Sequence, residues 1–232
     1  MMHRFMRPAQ AAAAVAALAL TLGAPASVTA EPAEVAPAVQ AAPTDWDPEA
    51  WLAEMWPSLP FGDHATLELT DLSAGHELPN GSLQSLAGFV AADRPDVVLL
   101  DREYVDNLAF EDRRHLLALA VHELSHSAIF QDGGIPPREA FEITEADRDW
   151  AGPLINTGLA GQWAALEAIA ACIEQSALPP GTSVYYLSAE CPADYRDAAF
   201  DYLAGITGGT DWRPREMKAD RALTPYGIPG RS

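Results

Sequence analysis

Glu111-Asp112-Arg113-Arg114-His115-Leu116-Leu117-Ala118-Leu119-Ala120-Val121-His122-Glu123-Leu124-Ser125-His126-Ser127-Ala128-Ile129-Phe130 decides how the rest of the chain reads. Leu117, Val121, Leu124 and Ala128 recur at a 4-3-4 spacing, which marks one face of an α-helix and not one side of a strand. Asp132-Gly133-Gly134, followed by Pro136-Pro137, stops that helix, because glycine frees the backbone and proline cannot continue the hydrogen-bond ladder. Inside it His122 and His126 stand one turn apart on one face, so their imidazoles can converge on a single metal ion. Glu123 is rotated by about 100° from His122, beside such an ion and not on it. A carboxylate there can take a proton from water and later hand it to a leaving amine.

Outward from this helix the pattern is mixed. Upstream, Asp96-Val97-Val98-Leu99-Leu100 reads as a short buried strand and Thr66-Leu67-Glu68-Leu69-Thr70 as an alternating, half-buried one. Asn80-Gly81 is a turn signal. Asp47 can cap a helix with Pro48 in its first turn; Trp51, Leu52, Met55 and Trp56 give it an apolar face, and Pro57 and Pro60 end it. Downstream the spacing predicts three more helices. One runs from near Pro137 to about Ala151, stopped by Gly152-Pro153. A second covers roughly Gly161 to Ala177 with Trp163, Leu166, Ala170 and Ile173 inward, and a third about Ala193 to Ala204. The expected fold is α+β: a small twisted sheet, the histidine-bearing helix packed on it, and a mostly helical C-terminal half. The folded domain is expected over residues 45–206, with a loosely packed tail over 207–232.

The ends and the composition bound the setting. Arg4 and Arg7, the apolar run Ala11 to Leu22, and Val28-Thr29-Ala30 make residues 1–30 a secretory signal peptide, too short to span a bilayer comfortably. Residues 31–44, rich in Ala and Pro, read as a disordered leader. The whole chain carries a net charge of −19, and removal of Arg4 and Arg7 with the signal makes it −21. So acidic a protein is not expected to bind nucleic acid or an anionic membrane surface. The expected location is periplasmic or extracellular, with no stable membrane anchor. In that oxidising compartment Cys172 and Cys191, the two cysteines of the chain, read as one disulfide. No CxxC or Cys-His spacing makes either a metal ligand.

The segment from the Val97–Leu100 strand through the helix Arg114–Phe130, with its His122-Glu123-Leu124-Ser125-His126 motif, resembles the zincin metallopeptidases. The resemblance implies a bound Zn²⁺, a peptide or protein substrate, and water activated at the metal, with Glu123 as general base. A catalytic zinc site keeps three protein ligands. Thr144-Glu145-Ala146-Asp147-Arg148-Asp149-Trp150-Ala151-Gly152 looks like the second motif of the thermolysin-like gluzincins, although Thr144 stands where that family usually has asparagine. By that match Glu145 is the third ligand and Asp149 orients His122. Glu142, Asp132 and Glu167, the last on the second downstream helix, are rival third ligands. For Asp132 the metzincin-like spacing fits, but Ile129 stands where those enzymes need glycine.

Other residues carry less. His115 is two turns before His122, about 10 Å away along the helix, too far for the same ion. His64, Tyr185, Tyr186 and Tyr195 are candidates to stabilise an oxyanion, or else packing and surface residues. No Gly-x-Ser-x-Gly elbow supports serine chemistry. The alternatives to a zinc peptidase are a non-catalytic zinc-binding or interaction module, and a metal-free helical binding protein.

Overall fold

In a computed structural model the chain is described over residues 45–213, apart from 78, 85, 134, 135, 137–140, 180 and 183. The expected signal peptide and leader, the chain beyond 213, and the expected helix start at Pro137 lie outside the described residues.

Helix α1 (Pro48–Met55) begins as its sequence dictates: the Asp47 carboxylate accepts from the Ala50 N–H at 2.9 Å, which satisfies one of the free donors of the first turn. Trp56 then turns back, and its indole N–H donates to the buried Ala65 carbonyl. Strand β1 (Thr66–Thr70) pairs in parallel with β5 (Val97–Asp101). Strand β4 (Gly88–Val90) pairs antiparallel with the other side of β5, placing Val90 opposite Val98 and Gly88 opposite Leu100. The sheet order is β1-β5-β4, so β4 is an edge. A small hairpin of β2 (His76–Glu77) and β3 (Leu83–Gln84) turns at Asn80-Gly81. The short helix α2 (Arg102–Asp106), capped by Asp101, leads on to α3 (Arg113–Gln131).

Helix α3 is buried nearly all round. Leu116, Leu117, Ala120, Val121, Leu124 and Ile129 are fully inaccessible. It packs on β4 and β5 on one side and on α5 (Gln162–Ser176) and α6 (Ala193–Ile206) on others. One core joins α1, the sheet, α3, α5 and α6; a second, around Trp150, Leu154, Cys172 and Leu187, joins α4 (Arg148–Asn156) to the outer side of α5. The fold is therefore α+β. The disulfide Cys172–Cys191 ties α5 to the loop before α6. Among the described residues no helix is long and apolar enough to cross a membrane.

Two expectations are corrected. Helix α4 does not stop before Gly152-Pro153 but runs on to Asn156 with a kink at Ala151. Proline at 153 removes the N–H that would reach the Asp149 carbonyl, and the Ser188 hydroxyl donates to that carbonyl instead, at 3.0 Å. Of the expected loose tail only 207–213 is described, and that part is packed and not loose. Trp212 is almost fully buried, stacks on Phe61, and donates its indole N–H to the Thr207 hydroxyl. An indole with a partner for its one donor is too large an apolar surface to leave in water.

Candidate metal centre

His122 and His126 face α5 from the middle of α3, each 6% exposed. Their Nε2 atoms lie 3.1 Å apart. The third group is Glu167 of α5, whose Oε2 is 3.5 Å from His122 Nε2 and 3.4 Å from His126 Nε2. These three atoms form a group able to hold a metal ion. Ligand atoms bound tetrahedrally at about 2.0–2.1 Å stand about 3.3–3.4 Å from one another, so the triangle has the size such an ion needs. Two imidazoles and one carboxylate are also the donor types of a catalytic zinc site with an open fourth position. Among the described residues no fourth His, Cys, Asp or Glu joins the set.

His122 is further fixed by Glu174, seven residues after Glu167 on the same helix: its Nδ1 lies 2.9 Å from Glu174 Oε2. An imidazole whose Nδ1–H donates to a carboxylate presents Nε2 as the ligand and is the more basic for it. The Nδ1 of His126 is buried with no hydrogen-bond partner among the described residues, so this ring is held by packing, partly against Phe130.

Glu123 lies beside the set and not in it. It is 5% exposed and rests against β4. A β-carbon added to Gly88 would stand 2.6 Å from both Cγ and Oε1 of Glu123, so only glycine leaves room for this carboxylate between helix and sheet.

The site is electrostatically incomplete without positive charge. Burial alone would lower the His122 imidazole, but hydrogen bonds that its ring donates to Glu167 and Glu174, and the charges of Glu174 and Glu123, hold it well above the usual range. Burial alone would raise the Glu167 carboxyl, but the charge of His126 and hydrogen bonds from both histidines hold it well below. Burial raises the Glu123 carboxyl, against the pull of the two histidines. One buried and two half-buried carboxylates around two imidazoles call for a cation, and among the described residues no Lys or Arg lines the cleft in which they sit.

That cleft is about 1050 Å³ and is walled by β4, the hairpin, α3, α5 and the Val184–Leu187 turn. Tyr186 lies in its wall, stacked on His122 at 6.2 Å between ring centroids and hydrogen-bonded to Gln84. Burial, with Glu167 nearby, pushes its phenol up, so the hydroxyl remains a donor.

The structure does not bring Glu145 and Asp149 to this site. Glu145 is 74% exposed and gives both carboxylate oxygens to Arg148, at 2.8 and 2.9 Å. Its neighbours Thr144 and Asp147 form a reciprocal cap that starts the helix. Asp149 is exposed, and the partner assigned to it, His122, is held by Glu174. Of the rivals, Glu167 joins the histidines, whereas Asp132 and Glu142 are exposed. Of the oxyanion candidates, Tyr185 and Tyr186 line the cleft. Tyr195 donates to the Phe141 carbonyl in the core, and His64 lies exposed beside Asp63. Glu174 and Gly88 were not foreseen. The signal for Glu174 was its place seven after Glu167, two turns along one helix face; for Gly88 it was an isolated glycine in a short strand.

Comparison with known proteins leaves these residues to speak for themselves: no family model matches the chain, no curated protein is similar to it, and no solved structure matches it.

Proposed function

We propose that this chain is an exported, zinc-dependent hydrolase of peptide bonds, zincin-like in its helix but with its third ligand taken from α5. The observation that carries the reading is the triangle of His122 Nε2, His126 Nε2 and Glu167 Oε2, with sides of 3.1, 3.4 and 3.5 Å, open toward a cleft that also holds the Glu123 carboxylate. His122, His126 and Glu167 would hold the ion, and Glu174 would keep His122 in the ligating tautomer. A zinc ion so held supplies Lewis acidity toward a carbonyl and toward water at neutral pH. Glu123, raised by burial, accepts the proton of the attacking water and delivers it to the departing amine. Tyr186, a neutral phenol in the cleft wall, donates to the oxygen on which charge develops.

A peptide substrate is supported by β4, an edge strand that lines the cleft, since an extended chain can add beside such an edge by main-chain hydrogen bonds. Against a structural zinc module stands the set of three candidate ligands among the described residues, where a closed site uses four, together with a buried Glu123 that a structural ion does not need. Export is supported by the Arg4–Ala30 leader and by the disulfide. The test is metal analysis of the purified mature protein together with turnover of a peptide library. Wild type is expected to hold one zinc per chain and to cut peptides. Glu123→Gln should keep the zinc and lose about 10²–10⁴-fold in turnover. Zinc-loaded wild type that cuts no peptide ends the reading.

A further inference from the structure

We infer that the cleft selects peptides by a large apolar side chain on the N-terminal side of the bond to be cut, received against the platform that Phe130 and Trp163 form; this rests on the hydrolase reading above.

The two rings extend the ladder that builds the metal set. Along α3 come His122, His126 and Phe130; along α5, running the other way, come Glu174, Glu167 and Trp163. His122 meets Glu174, His126 meets Glu167, and Phe130 meets Trp163 with ring centroids 6.5 Å apart. The aromatic pair therefore sits one helical turn beyond the ligands, in the same cleft.

Among the described residues this end of the cleft is left open. Trp163 is 46% exposed. The other large hydrophobic side chains that are exposed among the described residues are Phe89, Tyr104 and Tyr185, and all of them line the same cleft. Large apolar side chains gathered in one groove, and not scattered over the surface, mark a place where apolar matter binds. The charge of the lining narrows the class further. Among the described residues Glu77, Glu123, Glu167 and Glu174 line it and no Lys or Arg does. An acidic side chain is repelled, and a free C-terminal carboxylate finds no cation. The interior of a chain with an uncharged, bulky residue is what fits.

The sheet gives the direction. The Ser127 hydroxyl and the Gln131 side-chain amide both donate to the Pro95 carbonyl, so the C-terminal end of α3 lies at the start of β5. Helix α3 thus runs against β5 and along β4. A peptide that adds antiparallel to β4, the better-bonded arrangement, enters with its N-terminal half at the Val90 end, beside Phe130 and Trp163. Its C-terminal half lies toward Ala87 and Tyr104.

Two measurements test this. Cut sites of zinc-loaded wild type in a mixed peptide library, read by mass spectrometry, should show Phe, Trp, Leu or Met enriched at least about tenfold within two residues N-terminal to the cut. Calorimetry on zinc-loaded Glu123→Gln should find a blocked peptide with Phe at that position at least about tenfold tighter than its Ala counterpart. Adding Trp163→Ala should remove most of that advantage, leave the Ala peptide within twofold and keep one zinc per chain; Trp163→Phe should restore part of it. Equal affinity for the two peptides, or equal weakening of both by Trp163→Ala, overturns the inference. Enrichment only on the C-terminal side of the cut overturns the direction. Cutting with no preference ends the inference and leaves the hydrolase reading standing. Binding that depends on Trp163, with no cutting by wild type, supports the apolar site and ends the hydrolase reading.

Discussion

Residues 144–149 and helix α5 both offer a pair of carboxylates at helical spacing, and only α5 delivers them to the histidines. Glu145 and Asp149 are one turn apart; Glu167 and Glu174 are two turns apart. By spacing alone the two pairs are equivalent. Their neighbours are not. Around Glu145 stand Thr144, Asp147 and Arg148, which cap one another and leave the segment in water. Around Glu167 stand Leu166, Ala168, Ile169, Ala170 and Ala171, all buried. Those neighbours carry Glu167 and Glu174 inward, and a carboxylate taken inward must find a cation or a donor. Here the partners are imidazoles on α3. A carboxylate with an arginine three residues away on an exposed turn already has a partner; one set among alanines and isoleucines has none nearby in sequence and is held for something distant.

The largest effect that can break this comparison is loss of the metal. Glu167→Ala removes one of three ligand atoms and leaves two histidines, which hold zinc poorly. Its zinc dissociation constant should rise on the order of a thousandfold, as expected when one ligand's share of a strongly bound ion is lost. Competition against a chromogenic chelator measures it. Unchanged affinity in Glu167→Ala would place the third ligand elsewhere and remove the basis for preferring α5.

The helix α3, the His122–Glu123–His126 arrangement, the disulfide and the strands at Thr66 and Val97 were legible because each is specified locally: a repeat, a motif, a cysteine pair, a β-branched run. The third member of the candidate metal group was not singled out, because it depends on which of several helices packs against α3, and packing is set by apolar surfaces far apart in sequence. A clue lay in the inward stripe Leu166, Ala170 and Ile173; Trp163, expected with them, is instead 46% exposed at the cleft. Glu167 adjoins that stripe, whereas Glu145 adjoins Arg148. The path of α4 through Pro153 was equally hidden, since it depends on a hydroxyl at Ser188 that replaces the missing bond.

A smaller effect sharpens the comparison within α5 itself. Glu174→Ala leaves the three ligand atoms in place but frees the Nδ1 side of His122. Zinc affinity should fall about 10–100-fold, with one zinc still bound at saturating metal. Glu174→Gln, which can still accept from Nδ1–H, should recover part of the loss. A loss as large as that of Glu167→Ala would make Glu174 a ligand and not a positioning residue.

Next in size comes the tie that holds α5. Cys172 lies between Glu167 and Glu174, and its bond to Cys191 closes a loop of sequence separation 19. Replacing both cysteines by serine should lower unfolding stability by about 3 kcal/mol, the chain-entropy value for a loop of this length, as read by chemical denaturation. Zinc affinity should change less than in Glu174→Ala, because α5 is also held to α3 by Ile169 and Ile173 in the main core. A variant with normal stability but no zinc would show that the disulfide sets the register of the ligands and not the fold.

The smallest expected effect tests the other half of the comparison. Glu145 and Asp149 are exposed, and the Glu145–Arg148 pair lies open to solvent on both sides. Such pairs are screened by water and salt and contribute little. The double substitution Glu145→Ala with Asp149→Ala should leave zinc affinity and turnover within about twofold of wild type, because neither side chain approaches a histidine. Its visible consequence should be local: Arg148 loses its carboxylate partner at the start of α4 and keeps only Asn156, and amide exchange there should quicken while α3 and α5 stay protected. If this variant loses the metal, residues 144–149 must reach the histidines in solution. The polar context that keeps them at the surface would then be no guide to which carboxylate binds, and the gluzincin-like spacing of Glu145 and Asp149 would outrank the apolar setting of Glu167.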